Sequence, residues 1–128
     1  MTDDDLLQAF ESGRLEDFPH ELHVRTAWCY LRRDPILVAL PRFRAALRRF
    51  AAGKGKAERY HETITVAFML LIAERLGGVR ELPWEAFAAR NPDLLQWTPS
   101  PLAAFYPEDV LASPQARDVF VLAPTDAG

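Results

Sequence analysis

The sequence predicts an all-α fold: one compact orthogonal helical bundle built on a central apolar helix at 61–76, with short C-terminal helices wrapped around it. Three observations predict it. Apolar residues recur at three- and four-residue spacing, the period of a helix that buries one face. Helix-starting and helix-stopping residues bracket those stretches. No segment alternates apolar and polar residues over the length of a strand.

The elements follow in order. The first helix is read at about 3–12, with Thr2 as cap, three aspartates at the positive end of the dipole, and Gly13 as stop. The second begins at 19 or 20 and closes on Arg32 and Arg33, which suit its negative end. Asp34 and Pro35 read as cap and first residue of a third helical region, within which Pro41 predicts a kink or a second start. From 41 to 52, Phe43, Ala46, Leu47 and Phe50 form a core stripe at i, i+3, i+4, i+7. "GKGK" at 53–56 reads as a break. The next helix, from 60 or 61 to 76, is apolar nearly all round and so belongs at the centre; Gly77 and Gly78 end it. The proline-punctuated last third predicts short helices near 83–90, 107–112 and 114–119, the last opened by Ser113 followed by Pro114. Residues 1–122 read as one helical domain and 123–128 as a loose tail.

Composition narrows the classes. A chain of 128 residues, 49% hydrophobic and 26% charged, can bury a core without disulfides. A net charge of -3 speaks against a dedicated nucleic-acid binder. The lone cysteine, Cys29, has no internal disulfide partner, which points to a reducing, cytoplasmic setting. The acidic N-terminus lacks the basic start of a signal peptide. The longest apolar run, "ITVAFMLLIA", is too short to cross a bilayer, so no membrane association is expected. The Ala- and Arg-rich usage suggests a bacterial source.

The chemistry concentrates in two stretches, "FPHELHVRTAW" at 18–28 and "YHETIT" at 60–65, which hold all three histidines. On a wheel of 100° per residue, His20, His23, Val24, Ala27, Tyr30 and Leu31 share one face. His61 shares its face with Ile64, Thr65, Phe68 and Ile72, and Glu62 lies on a stripe with Val66, Met69 and Ala73. Inward-facing histidines on two packed helices are expected to meet. Three readings of such a group stay open. His20, His23, His61 and Glu62 suit a divalent metal such as Zn, Fe or Mn. His61, with Glu62 or His23 as its orienter, suits acid–base catalysis, with Trp28, Tyr30 and Tyr60 lining a small-molecule site. The third reading is a structural polar network at the helix starts. The spacing is neither HExxH nor the paired Glu-x-x-His of di-iron bundles. Thr63 and Thr65 read as hydroxyls satisfied within their own helix. Cys29 falls opposite His20 on the wheel, which speaks against a Cys–His pair.

Residues 42–59 carry seven basic side chains against one acid, Glu58. They suit a solvated face paired with the acidic N-terminus, or, in a competing reading, a non-catalytic interaction protein whose basic helix meets an acidic partner. Arg25 is placed to pair with Glu21 at i, i+4. The sequence is compatible with self-association.

The order "FPHELHVRTAWCYL", "RRFAAGKGK", "YHETIT", "YPEDVLASPQARDVFV", spanning roughly residues 17–121, resembles a group of small uncharacterised bacterial proteins. The resemblance implies a compact helical fold and assigns no functional residue.

Overall fold

The computed structural model describes residues 1–124. Among these, every regular element is helical: α1 (Asp3–Glu11), α2 (His20–Arg33), α3 (Ile36–Gly53), α4 (Glu62–Leu76), α5 (Trp84–Arg90), α6 (Glu108–Leu111) and α7 (Pro114–Asp118). Three 3-10 turns, Ala57–Arg59, Pro92–Leu95 and Pro101–Ala104, connect them. The first and third follow "GKGK" and a Pro-rich run; none was expected as an element. Of the expected tail, residues 125–128 lie outside the described chain.

Local chemistry sets most of the boundaries. The Thr2 hydroxyl accepts from the Asp5 amide while the Asp5 carboxylate accepts from the Thr2 amide, a reciprocal box that opens α1. Gly13, at φ 73°, turns the chain away after α1. Ser113 caps α7 by accepting from the Ala116 amide, as its sequence signature predicts.

Two boundaries differ from expectation. Asp34 does not cap α3; Pro35 does, and its carbonyl accepts from the amides of Val38 and Ala39. A residue before proline is driven to extended backbone, so Asp34 stays outside the helix and its carboxylate takes Arg42 instead. Nor does Pro41 divide the region: α3 runs on for 18 residues. Proline at the sixth position deprives only the Leu37 carbonyl of its donor, and Leu37 is 83% exposed, where water can take that place.

Helices α2, α3 and α4 form the central layer, with α1 laid across α2 and α3. One side of the core is an aromatic cluster in which Phe10 stacks on Phe18 and Phe43 at 5.0 and 5.8 Å and meets Tyr30 edge-on. On the other side, Trp28, fully buried, packs against Trp84 and Phe87 of α5. The last third wraps the bundle as predicted, held by named bonds. Thr63 on α4 donates to the Val119 carbonyl and accepts from the Val121 amide, and Tyr106 donates to the Val121 carbonyl. Arg75 grips Asp93 and Asn91.

The ion pairs are also redistributed. Arg25 bonds Asp3 at 2.8 Å rather than Glu21, Arg32 joins the same carboxylate, and Arg33 pairs with Asp4. The acidic N-terminus therefore neutralises α2, not the basic face at 42–59. The reason is position: α1 packs against α2 with its first turn beside α2's arginines. No described helix is long and apolar enough to cross a membrane.

Candidate functional site

Between α2, α3 and α4 lies a cavity of about 490 Å³. Helix α2 contributes His20, His23, Val24 and Ala27 to its wall. Opposite stand Phe43, Leu47, Phe50 and Ala51 of α3, and α4 adds Ile64, Thr65, Phe68, Met69 and Ile72. The connectors supply Phe18, Tyr60, His61 and Trp97. All three histidines thus line one space. That volume and apolar wall are those of an ordinary small-molecule site.

Each histidine is held differently. His61 does not lie inside α4 but caps it: its Nδ1 accepts from the Ile64 amide at 3.1 Å. An acceptor Nδ1 leaves the proton on Nε2, which donates to the Leu111 carbonyl at 2.7 Å. Both ring nitrogens are therefore engaged, and the neutral Nε2–H tautomer is the one the bonds require. His20 places Nε2 2.9 Å from the Leu94 carbonyl, so that nitrogen donates and Nδ1 keeps its lone pair. Its ring meets Phe68 edge-on and lies 5.2 Å from Trp97. Burial lowers its pKa, against the opposing pull of the Leu94 carbonyl. His23 stacks on Phe18 with centroids 3.9 Å apart. Burial, reinforced by the nearby His20, pushes its pKa down to about 4, and the Phe18 backbone offsets this only in part. At neutral pH the inner wall thus presents His20 and His23 as uncharged imidazoles.

Glu62 stands apart from the cavity wall. Its Oε1 accepts from Arg44 Nε at 2.6 Å and from the Tyr60 hydroxyl at 2.5 Å. Burial alone would raise this carboxyl, but the Arg44 and Tyr60 bonds outweigh it and hold it below the usual range. Tyr60, under the guanidinium of Arg48, bridges the two regions: its ring lines the cavity while its hydroxyl serves Glu62. Burial and that carboxylate push the phenol up to about 12.

The proposed metal set His20, His23, His61 and Glu62 is not assembled here. Among the described residues, no group of three or more His, Cys, Asp or Glu is placed to hold a metal ion. The bonds explain why: His61 spends both nitrogens on the fold, and Glu62 spends an oxygen on Arg44 and Tyr60. Nor do Trp28 and Tyr30 reach the cavity. Trp28 faces α5 beneath the Arg32 guanidinium, and Tyr30 donates to Glu11 at 2.7 Å across the α1 side. Of the three aromatic ligand candidates, Tyr60 alone lines it. Cys29 is buried away from the histidines, its thiol pushed up to about 12 chiefly by burial. The expectation for Thr65 is met, since its hydroxyl donates to the His61 carbonyl within the helix, whereas Thr63 reaches out to the 119–121 segment.

Several wall residues carry no sequence signal of their own. Phe43 and Phe50 read as core, and Trp97 sits in a proline-rich run with no periodicity. Lys54, Lys56 and Arg59 read as part of a solvated face, yet they stand at the mouth with Glu16. A signal for the opposite wall did exist: the α3 stripe predicted to face inward is what the α2 histidine face meets.

Compared with known proteins, the chain matches no family model, no curated protein and no solved structure.

Proposed function

We propose that this is a small-molecule-binding protein whose site is the cavity between α2, α3 and α4. One observation carries the reading: a concave, mainly apolar space opens onto all three of the chain's histidines. The wall recognises an apolar body. The uncharged His20 and His23 supply the orienting polar contacts, and His61 shapes the wall by capping α4. His20, with a free Nδ1 lone pair, and His23 are the groups that would accept a proton if the site performs acid–base chemistry. The lone buried thiol suits a reducing cytoplasm.

The test is binding of a neutral fluorescent probe, N-phenylnaphthylamine, to the full chain. The expected result is saturable binding at one site, abolished by Ala51→Trp, which fills the cavity from a half-buried position of the α3 wall. Absence of binding, or binding that ignores the filling substitution, would sink the proposal. Metal content after incubation with zinc, iron or manganese separates this from the metal reading: near-stoichiometric metal, lost in His61→Ala, would favour a metal site.

A competing reading makes the basic face an interaction surface. It draws on Arg48, Arg49, Lys54, Lys56 and Arg59, all exposed. Salt-sensitive association with an acidic partner, lost on charge reversal at Arg48, would support it.

A further inference from the structure

The cavity is chemically polarised, and the polarity bears on what enters it. Its inner wall holds no charged side chain; the polar groups there are imidazoles, the Tyr60 hydroxyl, which already donates to Glu62, and the Thr65 hydroxyl, which already donates to the His61 carbonyl. The charged lining residues are Glu16, Lys54, Lys56 and Arg59, and all four are exposed, which puts them at the mouth. Three cations therefore face one carboxylate. Glu58, on the same connector as Lys56 and Arg59, is not part of the lining.

One of the cations is also tied to the wall. Lys54 holds its ammonium 5.4 Å from the centroid of Phe50, a wall residue, so the charge sits directly over the apolar surface. Lys56 and Arg59, at the start and end of the 3-10 turn that follows, line the same cavity. By contrast Arg44, Arg42 and the three arginines of α2 are consumed by Glu62, Asp34 and the N-terminal aspartates. The positive charge left at the cavity is thus concentrated on one rim.

We propose that the ligand is an amphiphilic monocarboxylate, its apolar body between α2, α3 and α4 and its carboxylate at the mouth among Lys54, Lys56 and Arg59. This rests on the cavity being a binding site. An apolar body gains by leaving water for the aromatic wall. A carboxylate carried deep would lose its hydration against neutral imidazoles, so it stays at the rim, where it is both solvated and attracted. A neutral amphiphile gains nothing from the three cations.

The experiment displaces bound N-phenylnaphthylamine from the full chain with matched pairs: dodecanoate against dodecanol, and 2-naphthoate against 2-naphthol. The expected result at low salt is that the acid displaces the probe at roughly tenfold lower concentration than its alcohol in at least one pair. The pair that shows it tells an alkyl from an aromatic body. In Lys54→Gln/Lys56→Gln/Arg59→Gln, the difference should fall to about twofold or less, while neutral-probe binding persists, because all three positions are solvent-exposed. Glu16→Gln should shift the preference further toward the acid. Acids no better than alcohols in both pairs, or a preference that survives the triple substitution, overturns the ligand class while leaving the binding site standing. Failure of the neutral probe to bind the parent protein overturns both.

Discussion

His23 makes the protein's stability depend on pH in a window that carboxylates do not reach. In the folded chain its pKa lies at about 4, pushed down by burial and by His20; in the unfolded chain it returns to the ordinary 6.5. Between those values the unfolded state holds a proton that the folded state does not, so acid favours unfolding. The contribution is fully present above the unfolded value and is lost as pH falls toward the folded one. Linkage puts the loss at about 2 kcal/mol between pH 7 and pH 5, approaching about 3 kcal/mol near pH 4. His20 is lowered as well and adds in the same direction. The lowered carboxyls of Glu62 and Asp93 act only as pH falls below their ordinary carboxylate range. The assay is urea unfolding followed by tryptophan fluorescence at half-unit steps from pH 7.5 to 5. The parent should lose at least about 2 kcal/mol across that range, and His23→Gln should lose about 2 kcal/mol less than the parent, retaining the His20 share. A parent whose stability is flat, or a His23→Gln slope equal to the parent's, would refute the reasoning.

Two further outcomes follow from the same bonds. His61→Ala removes the α4 cap and orphans the Leu111 carbonyl, which should cost about 2–4 kcal/mol in urea unfolding at pH 7; His61→Asn, which can still cap, should recover about 1 kcal/mol of it, and equal losses would deny the cap its role. Cys29, buried and with its thiol pushed up to about 12, should resist an aromatic disulfide reagent in native buffer and react promptly in denaturant, so fast native labelling would contradict its placement.

Two helix starts were legible because a hydroxyl side chain and its target amide are sequence neighbours; the His61 cap of α4, equally local, was not. Thr2 with Asp5, and Ser113 with Ala116, are bonds across three residues, and the residue order alone specifies them. Pro41 was not legible in this way. Whether a proline breaks a helix depends on what satisfies the carbonyl four residues earlier, and the exposure of Leu37 is a tertiary fact. The same holds for Arg25: Glu21 is its neighbour along the helix, but docking of α1 beside α2 brings Asp3 to it, and the guanidinium bonds Asp3 through two nitrogens.

For the site, periodicity placed His20, His23, Val24 and Ala27 on one inward face, and packing bore that grouping out. Tyr30 belonged to the same arc of the wheel yet turned to Glu11, because an arc spans enough of the helix surface to meet two different neighbours. His61 and Glu62 are adjacent in sequence but part company. His61 folds back onto its own helix end and reaches Leu111, 50 residues away. Glu62 is claimed by Arg44 from α3.

What the sequence by itself determined is the helical class, the Thr2 and Ser113 caps, the apolar character of α4 and the inward face that carries two histidines. These depend on spacings within one turn or one helix, where covalent geometry fixes which residues are neighbours. Only the tertiary structure decided that a cavity remains where α2, α3 and α4 meet, that Glu62 is spent on Arg44, and that the basic stretch at 54–59 stands at the cavity mouth. Those outcomes depend on which of several competing long-range partners is nearest after packing, and no local pattern ranks such partners.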